Sequence, residues 1–119
     1  MSTTPENYLE ILEAVCSKTV ATCAESVDQN AAYPTESITA LKNAGLLGAV
    51  SASEIGGLGL GVRGAATIVE RLARECGSTA MVACMHFSGT AVLEAFAPKA
   101  IRRSAASGEH LSTLAFSEA

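Results

Sequence analysis

The chain has 119 residues and a formal net charge of −4, with 49% hydrophobic and 17% charged residues. That length supports one domain with a modest core, and the acidic balance without any basic stripe excludes nucleic acid or an anionic membrane as the expected partner. Charge this sparse leaves more apolar surface than a lone domain of this size usually exposes, so burial against another domain, a subunit or a ligand is expected.

Thr4-Pro5-Glu6 reads as cap, first-turn proline and first-turn acid, and opens a helix. Leu9, Leu12, Val15, Cys16, Val20 and Cys23 follow at three- and four-residue spacings, an amphipathic stripe that fades near Ala31–Tyr33, before Pro34. A shorter helix starts at Pro34-Thr35-Glu36, carries Ile38, Leu41 and Ala44 on one face, and closes at Gly45. Leu46–Ile55 is a connection, and Gly56–Gly61 is read as a loop too flexible for regular structure.

Val62–Cys76 predicts the cleanest helix. Val62, Ala65, Ala66, Val69, Leu72, Ala73 and Cys76 form its buried stripe, and Arg63, Glu70, Arg71, Arg74 and Glu75 cover its outer face, with Glu70 and Arg74 in the favourable order. Gly77 ends it and Ser78 caps the next helix, which runs to Phe96, is apolar nearly all round, and is expected to be buried on most sides. Pro98 opens a last short helix through about Ala106, with Gly108 beyond it. Leu111–Phe116 then looks extended and has no partner strand. The fold class expected is all-α, an orthogonal or up-down bundle of about five helices with a short extended carboxy-terminal segment. The chain is expected to continue past Ala119.

Four cysteines (Cys16, Cys23, Cys76, Cys84) form no CxxC pair, no signal peptide precedes them, and Cys84 and His86 point in different directions on a helix. Free, mostly buried thiols in a reducing cytoplasm are the reading, with no metal site. The longest uncharged stretch, Gly77–Leu93, is too short for a membrane span. Gly59-Leu60-Gly61-Val62-Arg63-Gly64 matches G-x-G-x-x-G, but a dinucleotide site needs a strand before it and an acid about 20 residues later. No Asp or Glu lies between Gly77 and Leu93, so a turn-forming loop is the reading kept.

His86 is either a satisfied core histidine, the favoured reading, or a pocket-wall residue. Met81, Cys84, Met85 and Ser88 share one helical face, which is core or an adaptable wall for an apolar ligand, with core favoured on pattern alone.

Taken in order, Pro34-Thr35-Glu36-Ser37, Leu41-Lys42-Asn43-Ala44-Gly45-Leu46-Leu47-Gly48, Ser53-Glu54-Ile55-Gly56-Gly57-Leu58-Gly59, Val69-Glu70-Arg71-Leu72-Ala73, Gly77-Ser78-Thr79-Ala80 and Gly108-Glu109 leading to Leu114-Ala115-Phe116-Ser117-Glu118 resemble the amino-terminal domain of the acyl-CoA dehydrogenase family. The resemblance covers roughly Val27 to Ala119. It implies a helical domain that packs on a middle β domain, begun here by residues 111–119, and on a carboxy-terminal helical domain, with FAD between them. It also implies an acyl-CoA thioester substrate and a homo-oligomer.

By resemblance, Ala80, Met81, Cys84, Met85 and Ser88 lie along the acyl chain, which raises the pocket reading over plain core. Leu114, Phe116 and Ser117 take the positions beside the flavin ring. Ala119 stands where proline is usual, and Met81 and Cys84 differ from the small residues often found. The implied chemistry is α,β-oxidation of the thioester: a carboxylate takes the α-proton and the β-hydride goes to the flavin. No catalytic residue is assigned here, neither Glu54 nor Glu118. The alternatives are a flavin-dependent monooxygenase of the same fold and a non-catalytic helical interaction module.

Overall fold

The first rod is made of three consecutive pieces: α1 (Tyr8–Val15), a π-helical turn (Cys16–Val20) and α2 (Ala21–Gln29). The computed structural model describes residues 2–115. Thr4 opens the rod as expected. Its carbonyl accepts from the Tyr8 N–H at 3.0 Å and its own N–H donates to Asn7 Oδ1 at 2.7 Å, the returning half of a capping box, while its hydroxyl makes no cap bond. Regular helix begins only at Tyr8.

Leu12, Cys16 and Val20 are spaced by four and all buried, although each step of four in a straight α-helix drifts by about 40°. The wider π turn absorbs that drift and keeps the stripe facing the core. Leu9, expected in the stripe, is exposed. The rod ends in a Schellman motif. The Ala32 N–H donates to the Val27 carbonyl and the Ala31 N–H to that of Asp28, with Ala31 at a φ of +48°.

Helix α3 (Thr35–Asn43) buries Ser37, Ile38 and Leu41, and Gly45 closes it in the left-handed region. The connection that follows holds two 3-10 turns, Leu46–Gly48 and Ser53–Ile55. Its glycine run is irregular but not loose. The N–H groups of Leu58, Gly59 and Leu60 donate to the carbonyls of Gly48, Ser51 and Ala49 at 2.8–2.9 Å, folding the loop back on itself. A Cβ on Gly57 would lie 2.1 Å from the Ser51 carbonyl oxygen, so glycine is required here for close approach rather than for flexibility.

Helices α4 (Gly61–Ala73) and α5 (Gly77–Phe96) pack on each other across a short turn, and α6 (Lys99–Ser107) closes the bundle. With the first rod counted once, five helical rods make up the all-α fold, and no strand occurs among the described residues.

Four expectations for α4 and α5 are corrected. Helix α4 turns Gly64, Ala65, Ile68 and Leu72 inward and leaves Val62 78% exposed, so the buried stripe is rotated from the expected one. Arg71 does not face solvent. Its guanidinium, 17% exposed, makes two bonds of 2.7 and 2.8 Å to Glu13 on α1 and a third to Glu75, whereas Glu70–Arg74 pairs on the open surface as expected. Helix α5 is not covered on most sides: Thr79, Ala80, Ala83, His86, Phe87 and Thr90 are buried, while Met81, Val92 and Phe96 stand out, Phe96 at 85% exposure. At 20 residues α5 is also long and apolar enough to cross a membrane, contrary to the length argument, and 39% of that window is buried against the rest of the chain.

The far end is tied by Glu94. Its carboxylate takes two bonds from Arg102 on α6, at 2.8 and 3.1 Å, and one from the Ala52 N–H.

Alanine at a left-handed cap is strained relative to glycine, and the strain exceeds the extra chain entropy glycine loses on folding. Ala31→Gly is therefore expected to raise unfolding stability by about 0.5–1 kcal/mol, read as a higher midpoint in urea at unchanged slope.

Candidate functional site

Because α4 is apolar on two faces, packing one of them into the core leaves the other for a groove. Val62, Ala66 and Val69 of α4 face Cys84, Ser88 and Ala91 of α5 across a cavity of about 570 Å³, floored by Phe87 and bounded by Val50. The Ser88 hydroxyl donates to the Cys84 carbonyl of its own helix at 2.9 Å, which removes its polarity from the wall. Glu70, paired with Arg74, is the one charge on the lining. Such a surface suits an apolar chain and provides no nucleophile paired with a base.

The residues expected along a substrate divide. Cys84 and Ser88 line the groove one turn apart. Met81, 60% exposed, lies one turn before Cys84, Met85 is half-buried outside the lining, and Ala80 is enclosed in the core. The α4 half of the groove was missed because Val62, Ala66 and Val69 were assigned to the core. The available signal was that α4 has more apolar positions than one face can hold.

His86 is fully buried and both its ring nitrogens are engaged. Nε2 lies 3.0 Å from the Leu47 carbonyl oxygen, and Nδ1 accepts from the Ser112 N–H at 3.2 Å. A carbonyl can only accept, so Nε2 carries the proton and the ring is neutral. Burial pushes the pKa below the ordinary value, with nearby His110 acting in the same direction. The satisfied core histidine is the arrangement found. One turn further, Gly89 faces the same segment: a Cβ there would lie 2.6 Å from Ser112 Oγ.

Residues 111–115 cross α5 without regular structure. Leu114 is half-buried, and no hydrogen bond from its backbone N–H or C=O is present among the described residues. Phe116 and Ser117 lie outside the described residues. Apart from the Ser112 N–H bonded to His86, no hydrogen bond from the backbone of residues 111–115 is present among the described residues.

All four cysteines are free, and no group of three or more His, Cys, Asp or Glu side chains gathers among the described residues. Burial raises the pKa of Cys16 and Cys23, and the Glu36 carboxylate beside Cys23 adds to its rise.

An all-α domain with an apolar groove beside its longest helix is the class these features define. Residues 3–107 match the acyl-CoA dehydrogenase, N-terminal domain family, and the chain belongs to it. No curated protein and no solved structure matches the chain. The groove and helices α1 to α6 lie within the matched span. The segment docked on His86 follows it.

The lowered pKa of His86 carries a stability consequence. Between the folded pKa and the ordinary value of 6.5, the unfolded chain binds the proton and the folded one does not. Stability from this group is therefore complete above pH 6.5 and falls as pH drops below it. Urea unfolding between pH 7.5 and 5.5 should show that decline in the native chain and a flatter profile in His86→Gln.

Proposed function

We propose that the chain forms the amino-terminal part of a FAD-dependent dehydrogenase that oxidises acyl-CoA thioesters between their α and β carbons. The observation that carries this reading is the apolar groove between α4 and α5, on a helix that the family resemblance places along the acyl chain, with Cys84 and Ser88 in its wall. In this role the groove would hold the alkyl part of the substrate, excluding water by apolar contact. Ala80 would act from behind, as packing that sets the position of α5.

FAD, when bound, would accept the hydride leaving the β carbon. Leu114, Phe116 and Ser117 are proposed to run along the ring edge, Leu114 by its open backbone groups and Ser117 by its hydroxyl. Glu70 at the groove rim is held by Arg74 and is not proposed as the α-proton base; that carboxylate is sought elsewhere in the enzyme. The cytoplasmic location and homo-oligomeric state proposed with this reading rest respectively on the four free thiols and on the apolar surface left on α5.

The monooxygenase reading drew on His86 as a pocket residue. Both ring nitrogens are engaged in the interior, so nothing in the groove favours it. The interaction-module reading shares the exposed Met81, Val92 and Phe96 and is separated by experiment.

The coding sequence after the Ala119 codon discriminates these two. Strand-rich sequence opening on a glycine/serine-rich turn supports the dehydrogenase, and a stop codon supports the module. The 119-residue chain is expected to emerge from gel filtration without stoichiometric FAD, and a yellow 1:1 complex would contradict that expectation. A straight-chain acyl-CoA thioether should slow alkylation of Cys84 several-fold, with Cys23 as the unaffected internal control. Equal Cys84 rates with and without millimolar thioether would count against the groove as an acyl site.

A further inference from the structure

An imidazole enclosed in an apolar helix interface is costly unless both nitrogens are satisfied, and an aliphatic side chain would pack there without that requirement. What the ring does that an aliphatic cannot is join two segments through opposite atoms. The carbonyl of Leu47, in the 3-10 turn after α3, accepts a hydrogen bond from the Nε2–H and so leaves the Nδ1 lone pair free to accept. That lone pair meets the Ser112 N–H at 3.2 Å. Among the described residues this is the one hydrogen bond between 111–115 and the rest of the chain.

The helix surface is cut away where the segment lands. A side chain at Gly89 would come within 2.6 Å of Ser112 Oγ, 2.8 Å of its Cβ and 3.0 Å of the Thr113 nitrogen. The other groups around the ring are the Thr90 hydroxyl on its own helix, at 3.5 Å, the Ala105 carbonyl from α6, and His110 from the stretch that follows.

We propose that His86 is a positioning residue whose Nδ1, with Gly89 one turn on, sets where segment 111–115 crosses α5 and thereby where Leu114 is presented. Its functional meaning rests on the reading of that segment as the flavin side of the site. The contact itself stands independently of that reading. Leu47 sets the tautomer, the tautomer sets the acceptor, and the acceptor sets the register of the segment. A one-residue slip would offer the next N–H and reverse which side chains face the helix.

Two conservative variants separate this role from simple core filling. Asparagine reproduces the Nδ1 acceptor and glutamine reproduces the Nε2 donor. In the 119-residue chain, followed by NMR amide exchange, His86→Gln should speed exchange of the Ser112 amide by about fivefold or more, the scale of one lost hydrogen bond, with α4 amides unchanged. His86→Asn should keep Ser112 protected, although it loses the bond to Leu47 and lowers the unfolding midpoint. Gly89→Ala leaves the histidine intact, suits a helix, and should release Ser112 as His86→Gln does. It keeps the proposal testable if a histidine variant fails to fold. Unchanged Ser112 exchange in both His86→Gln and Gly89→Ala, or equal loss in the glutamine and asparagine variants, would overturn it. These outcomes are read without flavin, so a failed clamp is distinguishable from a failed cofactor assignment, which the downstream coding sequence reports.

Discussion

A neutral imidazole with no access to water holds together the parts of this domain that are far apart in sequence. His86 sits mid-way along α5, bonds the turn after α3 through Nε2 and the carboxy-terminal segment through Nδ1, and lies beside the Ala105 carbonyl of α6. The Leu47 carbonyl belongs to a buried residue and Ser112 is half-buried, and a buried backbone group left without a partner costs about 1–3 kcal/mol. The ring satisfies both groups at once, but only in one tautomer and only when unprotonated. The geometry of the turn, of α5 and of the last segment is therefore coupled through one side chain.

Around that point close approach at glycines accompanies a core of buried Leu12, Leu41, Leu46, Leu47, Ile68 and Leu72. Gly48 sits where a Cβ would lie 2.7 Å from the Ala106 carbonyl oxygen, Gly57 presses on Ser51, Gly64 on Leu60, and Gly89 on Ser112. Ion pairs then tie the two ends of the bundle. Arg71 draws Glu13 of α1 onto α4 and pushes that carboxyl down to about 2, and Arg102 lowers that of Glu94 in the same way. Depressed carboxyls contribute stability that is present above their ordinary values near 4.5 and lost as pH falls through the folded ones, a window below that of His86. The groove is what remains when α4 buries one of its two apolar faces in the core and leaves the other open beside α5.

Much of this architecture was legible in sequence because it follows from local rules. Gly45 and Gly108 end helices in the left-handed conformation, Pro34 and Pro98 stand at helix starts, and the five rods fall where periodicity puts them. The family was legible from short runs in order, and residues 3–107 bear it out. Less visible was the π turn at Cys16–Val20, since two four-residue steps look like an ordinary stripe until the drift they imply is counted. Arg71 looked like surface because an arginine bonded to a residue 58 positions away leaves no local mark.

The sequence by itself determined the helix ends at Gly45 and Gly108, the all-α class, the family and the presence of a soft face on α5, because caps, periodicity and ordered motifs are properties of neighbouring residues. Only the tertiary structure decided which face of α4 is core and which is groove. It also decided which of the two readings of His86 holds, and that the glycine run is a tightly bonded fold rather than a loose link. The reason is common to all three. Each depends on which distant backbone group lies within hydrogen-bonding or van der Waals distance, and spacing along the chain carries no record of that.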